Sequence, residues 1–143
     1  MARTAPARGQ VSAAAGQLLE ALALADAASI GAVVTAEVAG RTPAFRFGDR
    51  ASLLRGLGAP TDAFDQVSVA IEEITCEGTQ FVIQWGLEAR HARTLRVGWA
   101  EFEATGRRVS LEGVLVGSTN NDLISAFSLY HDEVRLFEQL AIV

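Results

Sequence analysis

Three ionisable side chains stand where they could do acid/base work. Asp132 follows an apolar run ending Leu129-Tyr130-His131, just before residues at helical spacing (Val134, Phe137, Leu140, Ala141). A carboxylate there either caps the helix or, in apolar surroundings that raise its pKa, acts as a general acid or base. His91 ends the run Gln80 to Ala92, in which Phe81, Ile83, Trp85, Leu87, Ala89 and His91 share one face of a strand. At a pocket mouth it would polarise a carbonyl or share a proton with Asp132; otherwise it is a hydrogen-bonded sheet histidine. Glu73 alternates onto the face of Val67, Val69 and Ile71. If that face is inward, Glu73 is an alternative base among aliphatics; if not, it is a solvated charge. Trp85, Trp99 and Tyr130, with Leu87 and Phe102, offer apolar surface to a flat or polyene substrate, and Tyr130 also has a hydroxyl to donate. His131 alternates with Tyr130 and Asp132 and is expected to face away from their side.

No self-sufficient catalytic motif accompanies these groups. The chain has no GxSxG, HExxH, P-loop or dinucleotide-binding glycine pattern. All twelve basic residues are Arg, so a Schiff-base lysine mechanism is excluded. One cysteine, Cys76, and two histidines make neither a disulfide nor a zinc site. No metal or organic cofactor is therefore expected. A net charge of −5 argues against electrostatic binding to nucleic acid or an anionic membrane. No apolar run reaches the roughly 18 residues that span a bilayer. Arg3 and Arg8 ahead of an Ala/Leu-rich stretch mimic a secretion leader, but Gln17 and Glu20 interrupt it, and the stretch reads as an amphipathic helix. The expected location is cytoplasmic, and the expected partner a hydrophobic small molecule.

The 143 residues suit a single domain over 11–143 behind a loose arm over 1–10. The pattern predicts a helix over Val11–Ala25, then a short second helix from Asp26. Short strands follow over Val33–Val38 and Ala44–Phe47, then a third helix capped by Asp49 and ended by Gly56, Gly58 and Pro60. Long strands over Phe64–Cys76 and Gln80–Ala92 meet at Glu77-Gly78-Thr79. Ala92 to Ala104, with Trp99 and Phe102, is either a pocket rim or an irregular continuation of the strands. Val109–Gly117 and Leu123–Tyr130 form a hairpin across a polar turn at 118–122, with Gly113 marking a bulge or bend. Helices set apart from an antiparallel run make the fold α+β.

The closing third carries a resemblance. Thr105-Gly106-Arg107-Arg108-Val109, Glu112-Gly113-Val114, Asn121-Asp122-Leu123-Ile124 and Tyr130-His131-Asp132 followed by Leu136-Phe137-Glu138-Gln139-Leu140 resemble, in order and spacing, motifs of the SnoaL-like polyketide cyclases within the nuclear transport factor 2-like superfamily. Gln84-Trp85-Gly86 and His91 fall where members often carry a Trp and then a His-Thr-Gly; here Ala92-Arg93 follow the histidine. The resemblance implies a cone: a strongly curved, mainly antiparallel sheet wrapped around N-terminal helices, with a deep apolar pocket. It also implies a homodimer through the outer face of the sheet and a general acid/base role for an Asp near Asp132. The implied activity is closure of a ring on a linear polyketide-like intermediate, by aldol-type chemistry or by preorganising a polyene for cycloaddition. In the aldol version Asp132 or Glu73 removes a proton, and His91 or Tyr130 stabilises the enolate. A non-catalytic binding module is the alternative. Epoxide hydrolysis needs paired carboxylates around a water, and ketosteroid isomerase-like relatives carry an Asp where this chain reads Val38-Ala39-Gly40-Arg41.

Overall fold

Carboxylate caps set where three helices begin. In the computed structural model, which describes residues 8–57, 63–97 and 99–141, the Asp26 side chain accepts from the Ser29 amide ahead of α2 (Ala27–Val33). Asp49 and Ser52 form a reciprocal capping box on α3 (Arg50–Gly56). Asp132 accepts from the Arg135 amide at the start of α4 (Glu133–Gln139). Each satisfies amides that the first helical turn leaves unpaired. The first helix, α1 (Arg8–Leu24), starts within the segment expected to be a loose arm; residues 1–7 of that arm lie outside the described residues, as do Gly58 and Pro60. Val11, Ala14, Ala15, Leu18, Leu19, Ala21 and Leu22 of α1 are buried. They form the apolar stripe of an amphipathic helix.

The main sheet has six strands: β1 (Val34–Arg41), β2 (Arg46–Phe47), β3 (Phe64–Glu77), β4 (Gln80–His91), β7 (Arg108–Asn120) and β8 (Leu123–His131). Their order is β2-β1-β8-β7-β4-β3, antiparallel throughout except for the β1–β8 pair. Two-residue turns fix the long hairpins. Asn121 and Asp122 both take left-handed backbone (φ 51° and 65°) between β7 and β8, and Asn and Asp adopt it most readily after glycine. The stretch after β4 is a small separate hairpin, β5 (Leu95–Val97) and β6 (Ala100–Phe102).

Two irregularities in β3 decide which side chains face inward. The β3–β4 register shifts between Asp65 and Ser68 and again between Ile71 and Glu73. Each inserts a residue and swaps the faces beyond it. Val67 and Val69 thus share the inner face with Leu87 and Trp85. Beyond the second shift, Ile74 and Cys76 turn inward while Glu73 pairs with Gln84 on the outside. The helices pack on the inner face, with α1 lying across β3 and β4. At the other side, the Gln139 amide both donates to the Ser110 carbonyl (2.8 Å) and accepts from its N–H (2.7 Å), extending the ladder beyond the end of β8.

Gly113 marks no bulge. The β4 ladder runs through it unbroken, pairing it with Trp85, and the β8 ladder ends on it, pairing it with His131. A Cβ at 113 would overlap Cζ2 and Cε2 of Trp85 and the Tyr130 carbonyl oxygen. The bare backbone lets the indole lie across β7. Gly117 repeats the arrangement four residues on, between Phe81 and Phe127. Gly113→Ala should therefore lower unfolding stability by about 1–3 kcal/mol, the usual range for overpacking. Urea denaturation measures it, and an unchanged midpoint would mean that the indole does not occupy this place.

Candidate active site

Between the inner face of the sheet, α1 and α4, the core leaves a cavity of about 460 Å³. That volume suits a small organic ligand. Leu19 and Leu22 of α1, Phe45, Phe64, Val67 and Val69, Trp85, Leu87 and Ala89, Val109 and Leu111, Leu129, Leu136 and Phe137 supply an apolar wall. The ionisable side chains lining it are Arg96, His131 and Glu133. Arg96 is bound to Glu101 (3.1 Å), and both side chains are more than half exposed, so this pair belongs to the rim.

His131 is the histidine that faces the cavity. It alternates with Tyr130 and Asp132 as expected, but its side is the inner one, in line with Leu129 and Phe127. The imidazole stands edge-on to the Trp85 indole, ring centroids 6.2 Å apart at 74°. Its Nδ1 and the Trp85 Nε1 are both buried without a hydrogen-bond partner. Burial pushes the His131 pKa below the ordinary 6.5, against the opposing pull of the Glu133 and Asp132 carboxylates. Desolvation wins because a cation loses more than a neutral ring on leaving water. A neutral imidazole in an apolar cavity is equipped to accept a proton.

The three expected acid/base groups do not converge. Asp132 is exposed and occupied as the α4 cap. Glu73 is exposed on the outer face, put there by the second β3 irregularity. His91 shares the inner face with Trp85, but it is completely buried rather than at the pocket mouth. The segment after β6 folds back over it: the Thr105 amide donates to His91 Nδ1 (3.2 Å), with the Thr105 hydroxyl at 3.0 Å. Phe64 packs against the ring, tilted by 39° with centroids 5.6 Å apart. The proton therefore sits on Nε2, which has no partner.

Of the residues expected to hold substrate, Trp85 and Leu87 line the cavity. Tyr130 points outward, its ring under the Arg41 guanidinium at 5.5 Å. Trp99 is 97% exposed at the tip of the β5–β6 hairpin, and Phe102 packs against the core. Among the described residues no cluster of three or more His, Cys, Asp or Glu is arranged to hold a metal ion. No described helix is long and apolar enough to cross a membrane.

Residues 15–127 match the SnoaL-like domain family. The chain belongs to that family. Solved structures share the fold at low sequence identity. A proposed SnoaL-like polyketide cyclase from Jannaschia sp. CCS1 superposes with a TM-score of 0.81 at 13% identity, covering 100% of this chain and 99% of its own. TsrD from Streptomyces laurentii gives 0.78 at 17%, covering 96% and 99%. IdmH, a proposed polyketide cyclase from Streptomyces antibioticus, gives 0.75 at 15%, covering 92% and 99%. No curated protein matches the sequence. Within this SnoaL-like cone, the cavity lies between the curved sheet and its helices, as the resemblance implies.

The pKa direction of His131 sets a pH test. A base is active when unprotonated, and a lowered pKa keeps it so to a lower pH. The acidic limb of kcat/KM should fall below pH 6.5. An acidic limb above that value would contradict a desolvated base. His131→Asn should abolish the limb.

Proposed function

We propose that this SnoaL-like protein is a cofactor-independent cyclase of natural-product biosynthesis, acting in the cytoplasm on a linear polyketide-like intermediate. The observation that carries the reading is the His131 imidazole, its pKa lowered by burial, on the wall of a mainly apolar cavity. The wall holds a floppy chain in a reactive conformer, which alone can lower the barrier by several kcal/mol, up to roughly 7–11 in the best-oriented systems. His131 removes an acidic C–H proton next to a carbonyl, and the electron pair moves to that carbonyl oxygen. The enolate carbon then attacks a second carbonyl of the same chain, and the imidazolium returns its proton to the new alkoxide. The reaction is an isomerisation and balances without a co-reactant.

Epoxide hydrolysis fits less well, since Glu133 is the one carboxylate on the cavity wall among the described residues. Product formation from a linear β-polyketone tests the proposal. His131→Asn should lose about 100-fold or more in kcat/KM, the usual contribution of a general base. Asp132→Asn and Glu73→Gln should stay within a few-fold of wild type. Unchanged turnover in His131→Asn would leave preorganisation of the substrate as the mechanism. Tight ligand binding with no turnover by the wild type would make the protein a binding module.

We also propose a homodimer through the outer face of the sheet. Val82 and Val116, paired across β4 and β7, are 39% and 38% exposed there, and Tyr130 on the same face is 46% exposed. Light scattering should give twice the 15.2 kDa chain mass, and Val116→Glu should shift it toward the monomer. A wild-type monomer at micromolar concentration would contradict the pairing.

A further inference from the structure

The wall opposite the helices contains a second group that the acid/base reading does not use. Trp85 is 4% exposed, and its Nε1–H is a buried donor with no acceptor. An indole N–H can only donate, and leaving one unpaired in a protein interior costs stability. Its orientation is set by β7. The atoms that occupy the space above Gly113 are Cζ2 and Cε2, and Cε2 bears Nε1. The ring edge next to the N–H thus lies over β7, and the ring centroid is 6.2 Å from that of His131, which stands in the same cross-strand row. His131 makes no hydrogen bond there, and its Nδ1 is also unpartnered. Trp85 and His131 both line the mainly apolar cavity, and an unpaired donor on one ring next to a neighbouring imidazole is complementary to a carbonyl with an acidic C–H beside it.

We infer that Trp85 Nε1–H and His131 form a receptor for an enolisable ketone, with the indole donating to the carbonyl oxygen. The inference rests on the cyclase reading and narrows its substrate to chains that present a ketone at this pole. The proton passes from the carbon to His131, and the electron pair settles on the oxygen that Trp85 holds. A donor that is already oriented and shielded from water stabilises that charge more than water does. Trp85 then acts as a catalytic residue through its N–H, beyond its value as apolar surface. Gly113 is the positioning residue that gives the ring its place.

Two ligands of matched shape test this: 2-acetonaphthone, a ketone, and 2-isopropylnaphthalene, which lacks the oxygen. With two tryptophans in the chain, the indole N–H resonances of 15N-labelled protein are assigned by Trp85→Phe. Both ligands should bind. Only the ketone should move the Trp85 indole proton downfield, with the Trp99 signal unmoved. Trp85→Phe should weaken the ketone about 2- to 10-fold, the worth of one neutral hydrogen bond, and leave the hydrocarbon unchanged. Equal weakening of both ligands would show that Trp85 only packs, and would overturn the inference. So would ketone binding without an indole response. If neither ligand enters the wild-type cavity, the cyclase reading beneath it fails as well.

Discussion

The backbone of β7 must stay bare at Gly113 for the site to exist. Register places Trp85, Gly113 and His131 in one row across three strands. Any side chain at the middle position would collide with the indole. With glycine there, two large rings from the flanking strands meet over the third. At Gly117 the bare backbone likewise makes room for Phe81, which is fully buried, as is Phe127 on the next strand. The two rows differ in consequence. The Phe row is closed, with both rings fully buried. The Trp–His row borders the cavity, and it carries polar atoms.

Those atoms set the balance between stability and function. The Trp85 N–H and the His131 Nδ1 forgo hydrogen bonds that water would supply. Each unpaired buried group costs on the order of 1–3 kcal/mol. The deficit is offset elsewhere, by the buried stripe of α1 and by the filled end of the sheet. A ligand that supplies the missing partners recovers part of it on binding, which is how an apolar cavity gains selectivity for a particular polar group. The lowered pKa of His131 has the same origin: the desolvation that makes the ring costly also keeps it unprotonated, with a lone pair free to accept a proton.

Most of the fold was legible because its signals are local. Asp26, Asp49 and Asp132 cap helices as their types suggest, and Asn121-Asp122 turns as a left-handed pair. The order of motifs from Thr105 onward identified the family before any coordinates. The site was harder, because it depends on which face of each strand is inward. The second extra residue in β3 reverses that assignment for Glu73, and nothing in simple alternation announces it. His91 has the right parity but the wrong neighbourhood, since the segment carrying Thr105 returns to cover it. For His131 a signal was present. Phe127, Leu129 and His131 alternate with Ala126, Ser128 and Tyr130, and the bulkier apolar set is the inner one. Tyr130 drew attention by its chemistry, although its parity put it outside.

The central claim is a neutral, desolvated His131 on the cavity wall, and its most direct test is an NMR titration of the two imidazoles with and without a bound ketone. His131 should titrate below the ordinary 6.5, and its ring signals should shift when the cavity is filled. Titration at or above that value, with no response to ligand, would show an imidazole open to solvent and would contradict the account.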